Sequence, residues 1–365
     1  MIKRTDSIDD WIVVDNKRNT TNSRYNYLMP NSNAVENGSA SGAVNPLVNF
    51  LTNGFQIAAT WGAVNNNGSL YVYMAFASDG STAPTLPDSF ANKLYTGNGG
   101  TQAITGLGFS PSFVWLKRRD GTGNHYLNDT IRGTKSQISS NLTAAETTYS
   151  SNITSYDTDG FTLGTSTDNN GSGQTFVAWN WKGNTVPTIN TDGTNQSVVS
   201  ANQSSGFSIV QGTASGGLNT VNSFGHGLGV KPDLIMIKST TSADNWYVYN
   251  SISGAGKSLY LNDSAAEFST TNVWANTEPT ASVFSIKDGQ TVSVGATFIS
   301  YCFASISGFS KFGTYAGSGS NVDVVTGFQP DFVLVRNTGV EDWNIMDSAR
   351  AVSYTHLTLP TIYSV

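Results

Sequence analysis

A phrase of about ten residues occurs three times in this chain, and its recurrence restricts the fold to architectures that are built by repetition. Gly108 to Lys117 reads Gly-Phe-Ser-Pro-Ser-Phe-Val-Trp-Leu-Lys, Gly229 to Lys238 reads Gly-Val-Lys-Pro-Asp-Leu-Ile-Met-Ile-Lys, and Gly327 to Arg336 reads Gly-Phe-Gln-Pro-Asp-Phe-Val-Leu-Val-Arg. Each sets a proline (Pro111, Pro232 or Pro330) ahead of three or four apolar residues and a cation. Proline has no backbone N–H and is tolerated at the first residue of a strand, so the phrase predicts a strand opening. The cation, Lys117, Lys238 or Arg336, is expected to return the chain to water.

Two further landmarks keep the same order. An aromatic stretch closes on an acid or amide from Trp11 to Asp15, Tyr126 to Asp129, Trp246 to Asn250 and Trp343 to Asp347, and three of these continue to Arg18, Arg132 and Arg350. An Asn-x-x-Ala-x-Glu phrase ends at Glu36, Glu146 and Glu267, spaced 110 and 121 residues apart. Each copy then reaches a closing strand rich in aromatics, at Tyr71 to Ala77, Thr175 to Trp181 and Thr297 to Ala304. Asn53-Gly54 and Asp159-Gly160 occupy equivalent points and have the chemistry of tight hairpin turns.

Composition agrees with strands. Charged residues make up 12% of the chain, about half the usual ~25%, while glycine reaches 37 residues and Asn, Ser and Thr fill the intervals between apolar runs. Solvated helices need Ala, Glu, Lys and Leu, whereas short Val, Phe, Tyr and Trp runs between turn residues make hairpins. The expected fold is all-β, with tandem antiparallel sandwiches of jelly-roll or lectin-like type. A module of roughly 90 to 120 residues has the size of such a sandwich. The predicted division is module 1 over 1–77, a linker over 78–92, module 2 over 93–182, a linker over 183–204, module 3 over 205–304, and the start of a truncated fourth module over 305–350.

Both ends read as cut. Met1-Ile2-Lys3 aligns with Met236-Ile237-Lys238, so the first module lacks its proline-led beginning, and the fourth copy stops after Arg350. The stretch from Val352 to Thr361 resembles the in-frame translation of a sequencing adapter, and 351–365 is therefore expected to be foreign to the protein.

The phrases Ser300-Tyr301-Cys302-Phe303-Ala304, Gly308-Phe309-Ser310-Lys311-Phe312-Gly313-Thr314-Tyr315 and Tyr71-Val72-Tyr73-Met74-Ala75-Phe76-Ala77 resemble a family of tandem modules in marine bacteriophage structural proteins. The resemblance spans nearly all of residues 1 to 350. It implies a virion, tail or fibre location and a concanavalin-like sandwich; taken with the repeats and composition, the expectation is a noncatalytic module array on a tail fibre or capsid surface that contacts other virion proteins and host-surface glycans. Trimers are common among such fibres. It brings no catalytic residue. A secreted bacterial adhesin or carbohydrate-binding protein is the alternative, and a glycoside hydrolase or lyase on a lectin-like sandwich a lesser one.

The residues themselves offer little chemistry. A net charge of −6 gives no basic stripe for nucleic acid or anionic membranes. The single cysteine, Cys302, excludes a disulfide framework and reads as a small buried hydrophobe. His125, His226 and His356 do not share metal-ligand spacing, so no metal or cofactor is expected. Glycoside hydrolysis needs two facing carboxylates. The repeating Glu36, Glu146 and Glu267 read as architectural, as do Trp11, Trp246, Trp343, Asp15, Asp129 and Asp347. Asp157-Thr158-Asp159-Gly160 and Asp168-Asn169-Asn170-Gly171 read as turns before calcium loops, and Gly225-His226-Gly227-Leu228-Gly229 lacks the helix a phosphate cradle requires. Trp61, Trp115, Trp179, Trp181, Trp246 and Trp274 could stack on sugars, yet alternation puts Val177, Trp179 and Trp181 on one face, favouring a core.

Overall fold

The closing strands combine aromatic, β-branched and small residues without glycine or proline, a composition suited to a sheet interior. In the computed structural model, which describes residues 28–36, 48–58, 62–76, 89–184, 186–338 and 343–347, three such strands, Leu70–Phe76, Thr175–Trp181 and Thr297–Phe303, are each buried along almost their whole length. The fold is all-β, with sandwich character, and every ladder between named strands is antiparallel.

Each closing strand has the same neighbours. Thr175–Trp181 lies between Phe90–Thr96 and the proline-led Phe113–Arg118, and His125–Asp129 comes next. Thr297–Phe303 lies between Phe207–Thr213 and Leu234–Ser239, followed by Tyr247–Asn250. Leu70–Phe76 lies between Ser310–Ala316 and Phe332–Asn337, followed by Asn344–Asp347. Pro111, Pro232 and Pro330 thus stand at one topological place, two residues ahead of equivalent strands, with Phe113 opposite Trp181, Leu234 opposite Phe303 and Phe332 opposite Phe76.

The residues read as the start of a fourth module therefore complete the first. A strand such as Leu70–Phe76, buried with both edges unpaired, would leave its backbone donors and acceptors without partners. Among the described residues the first module has the closing strand but no proline-led strand, and the 305–350 stretch has the reverse. The two halves pair in the register of an intact module. Met1 to Lys3 lie outside the described residues, and Phe332–Asn337 occupies the place that alignment gave them.

Two other boundaries shift. Phe90–Thr96, partly assigned to the 78–92 linker, is a full strand of the second module's sheet. Within the 183–204 linker, Thr188–Asn190 and Ser197–Asn202 form strands that extend the third module's sheet beyond Phe207–Thr213. Val198 and Val199 are the apolar signal that the surrounding Asn, Thr and Ser obscured. Residues 351–365, with the adapter reading, lie outside the described residues.

A smaller sheet covers the outer face of each large one. Ile153–Asp157, Gly160–Leu163 and Gln102–Thr105 enclose with the second large sheet a core that includes Phe161, Phe176 and Leu116. Val221–Gly225 and Val283–Lys287 do the same around Phe224, Trp274 and Phe298. Val48–Leu51, Gly54–Ile57 and Val322–Val325 belong to the completed first module. The predicted hairpin glycines are required by close approach: a Cβ at Gly54 would lie 2.0 Å from the Val324 carbonyl oxygen, and one at Gly160 would lie 1.8 Å from that of Ile104.

The inner faces of the large sheets meet. Alternation along Thr175–Trp181 turns Val177, Trp179 and Trp181 to this shared core and Phe176 and Ala178 to the second module's own. The last residues of the three closing strands form a triangle, with ring centroids 5.8 Å apart for Phe76 and Trp181, 6.0 Å for Phe76 and Phe303, and 6.1 Å for Trp181 and Phe303. Trp181→Ala is expected to cost about 3–5 kcal/mol and to lower one common unfolding transition in calorimetry. Loss of a single module with the others unmoved would contradict a shared core.

Candidate functional site

The repeated polar residues converge on the seams between modules. Three sets of hydrogen bonds run there, two of them around the complete ring.

The first set comes from the aromatic landmark. Trp246 Nε1–H donates to the Ser139 carbonyl at 2.9 Å, and Trp343 Nε1–H donates to the Tyr260 carbonyl. At the third seam His125 Nε2 lies 3.0 Å from the Met29 carbonyl. Trp115 Nε1–H donates to His125 Nδ1 at 3.0 Å, and since an indole only donates, the imidazole proton belongs on Nε2 and points at Met29. His125 therefore stands where the other modules have tryptophan, four residues before the acid. The sequence alignment placed Tyr126 there, but Tyr126 faces the second module's outer core. The backbone N–H groups of His125, Trp246 and Trp343 in turn donate to Asn141, Asn262 and Asn31, the first residues of the Asn-x-x-Ala-x-Glu phrases.

The second set comes from the repeated glutamates. Their backbone N–H groups donate across the seams, from Glu36 to the Arg119 carbonyl at 3.0 Å, from Glu146 to Thr240 at 2.9 Å and from Glu267 to Thr338 at 2.6 Å. Each acceptor directly follows a proline-led strand. The carboxylates meet a different cation each time: Arg119 for Glu36, Arg132 for Glu146 and Lys257 for Glu267.

In the third set, a closing strand reaches the acid of the neighbouring module. Trp179 Nε1–H donates to Asp347, and Tyr301 O–H donates to Asp129 at 2.9 Å. The remaining closing strand has Met74, which cannot donate, and the corresponding acid is the amide Asn250, whose oxygen accepts from the Ser253 N–H at 2.8 Å. Arg132 joins Asp129 at 2.6 Å, Glu146 at 3.1 Å, the Leu127 carbonyl at 2.9 Å and Tyr301 at 3.1 Å. Burial opposes the Arg132 charge, but Asp129, Tyr301 and Glu146 more than offset it and hold the guanidinium more firmly protonated than usual. Ser253 stands in the third module where this arginine would be. Trp11, Asp15, Arg18 and Arg350 lie outside the described residues.

The strand-ending cations do not return to water. Lys117, Lys238 and Arg336 are at most 1% exposed. Lys117 donates to the Ala34 and Arg118 carbonyls, Lys238 to those of Ser239 and Ser242, and Arg336 to those of Tyr260 and Ala265. Backbone carbonyls take the place of solvent, which the apolar-then-cation pattern could not reveal. Burial brings the Lys238 ammonium down to about 8.

The other sequence candidates are structural in their contacts. Asp159 accepts from the Gly106 and Gly108 N–H groups, and Asp157 accepts from the Thr162 hydroxyl. No cluster of metal-ligating side chains occurs among the described residues. In the glycine-rich loop, the His226 N–H donates to the Ser282 carbonyl and the Leu228 N–H to His226 Nδ1, so neither is offered to a phosphate. Burial pushes the Cys302 thiol up to about 12, away from nucleophilic reactivity. Trp115, Trp179, Trp181, Trp246 and Trp274 are all fully buried, which removes them as sugar platforms, and Trp61 lies outside the described residues.

Sequence reasoning missed an open groove of about 650 Å³ on the third module. It lies over the two strands that the other modules lack among the described residues. Ile189, Val198 and Gln211 form one cross-strand row of its floor, with Thr213 and Thr297 opposite each other beyond it.

A family model described as a domain of unknown function, DUF7483, matches residues 1–79 and 86–362. No curated protein and no solved structure matches the chain.

Two outcomes follow from the seam chemistry. Arg132→Met should destabilise the chain by about 3–5 kcal/mol in denaturant titrations, because Asp129 would stay buried without its cation. The Lys238 ammonium has a folded value near 8 against an ordinary 10.5, so between those limits the unfolded chain holds more protons and stability rises with pH. Subtracting the Lys238→Met profile from that of the unaltered chain should isolate this rise. A flat difference would remove it.

Proposed function

The chain belongs to the DUF7483 family, and from that premise we propose that it is a noncatalytic bacteriophage virion protein. It is displayed on a tail fibre or capsid surface, where it builds a rigid three-lobed body and meets host-surface glycans. The observation that carries this reading is the engagement of the recurring side chains. The acids, the aromatic N–H donors and the buried Arg132 all hold one module to the next.

Glycosidase chemistry asks for two carboxylates with room between them for substrate or water. Asp129 and Glu146 are instead bridged by Arg132, which favours a structural role for both. The composition of the chain, with few charges and many Asn, Ser and Thr residues, suits a body exposed to varied surroundings. The resemblance of its phrases to phage structural modules is what supports the virion location.

Mass spectrometry of purified virions from a phage that encodes this family is expected to find the protein at structural copy number. Recovery from the host's secreted fraction, with none in virions, would replace this reading by the adhesin.

A further inference from the structure

We infer that the groove on the third module is a binding site for uncharged glycans. The inference rests on the glycan-contact part of the reading above. It starts from a break in symmetry: Thr188–Asn190 and Ser197–Asn202 extend one large sheet and have no counterpart in the other two among the described residues. The two sets of seam bonds that run around the complete ring do not involve them, and Asn202 at the far end of the second strand makes the contact to the second module, donating to Ser89 and to the Lys182 carbonyl.

The lining of the groove defines its ligand. It contains no charged residue, so a phosphate, sulfate or uronate would find no cation there. The backbone of its floor is already paired, because Ser197–Asn202 is bonded to strands on both sides and Phe207–Thr213 likewise. An extended peptide therefore has no ladder to join over the floor, and recognition falls to side chains. The side chains of Gln211 and Gln196 line it with no hydrogen-bond partner among the described residues, and each carboxamide presents both a donor and an acceptor. Thr213 and Thr297 add hydroxyls 3.2 Å apart. Beside them Val198 and Ile189 give an apolar strip, with Ile189 68% exposed. Amides and hydroxyls next to an apolar strip match a sugar ring, which has hydroxyls at its rim and C–H groups on its face. A volume of about 650 Å³ is within the range of small-ligand sites.

Affinity electrophoresis of the full chain through gels containing mannan, dextran or laminarin tests the assignment, with heparin and alginate gels as charged comparisons. At least one neutral polysaccharide is expected to retard the chain. The double variant Gln196→Ala/Gln211→Ala should weaken that retardation about tenfold, the effect of losing one or two net hydrogen bonds. Ile189→Asp should abolish it, and this exposed position leaves the thermal midpoint unchanged. Migration unaffected by all three neutral polymers overturns the site, as does retardation that both variants retain or that the charged polymers exceed. Any of these failures leaves the virion location standing, because that is read separately from virion composition.

Discussion

Three aromatic rings at the ends of three closing strands, Phe76, Trp181 and Phe303, set the geometry of the whole molecule. Each belongs to a different module and each touches the other two. A strand whose last ring is fixed in this way fixes its sheet, and the sheet fixes the small sheet packed on its outer face. Phe90, Phe113, Phe207 and Phe332 extend the cluster outward along the neighbouring strands. Aromatic pairs of this kind add about 0.5–1.5 kcal/mol beyond area burial, so the centre ties the modules into one cooperative body.

Around that centre, what recurs is a bond and not a residue type. His125 does the work of Trp246 and Trp343 because a ring N–H at the same height reaches the same carbonyl. Glu36, Glu146 and Glu267 share a backbone donation while their carboxylates find three unrelated cations. Where Met74 replaces a donor on the closing strand, Asn250 replaces the acid, and no buried charge is left facing an apolar side chain. Substitutions at a seam are tolerated when the buried polar groups on both sides remain matched.

Much of this was legible in the sequence, and the exceptions have physical causes. Proline-led strands, closing strands and hairpin glycines declare themselves because their signals are local: a missing N–H, a strand-period alternation, a close backbone approach at Gly54 or Gly160. The completion of the first module was half legible, since one fragment lacked what the other held, but sequence order suggested a new module where pairing made an old one whole. Lys117 and Arg336 misled because their burial depends on carbonyls from another module, and Lys238 because the turn after its strand folds the Ser239 and Ser242 carbonyls back onto it, which the apolar-then-cation pattern does not record. The strands at Thr188–Asn190 and Ser197–Asn202 were hidden by polar residues that suit an exposed sheet as well as a connector, and the groove was hidden with them.

The divided first module also bears on how the protein is made. Leu70–Phe76 acquires both of its neighbours from strands that end at Asn337, 261 residues after Phe76. At about 5–20 residues per second, the ribosome needs on the order of ten to fifty seconds to supply them. Throughout that interval a strongly apolar strand leaves the tunnel with two open edges, the kind of segment that pairs with a stranger. The second and third modules, each continuous in sequence, can form meanwhile and offer it a partial surface, so the first module would be completed after the two that follow it.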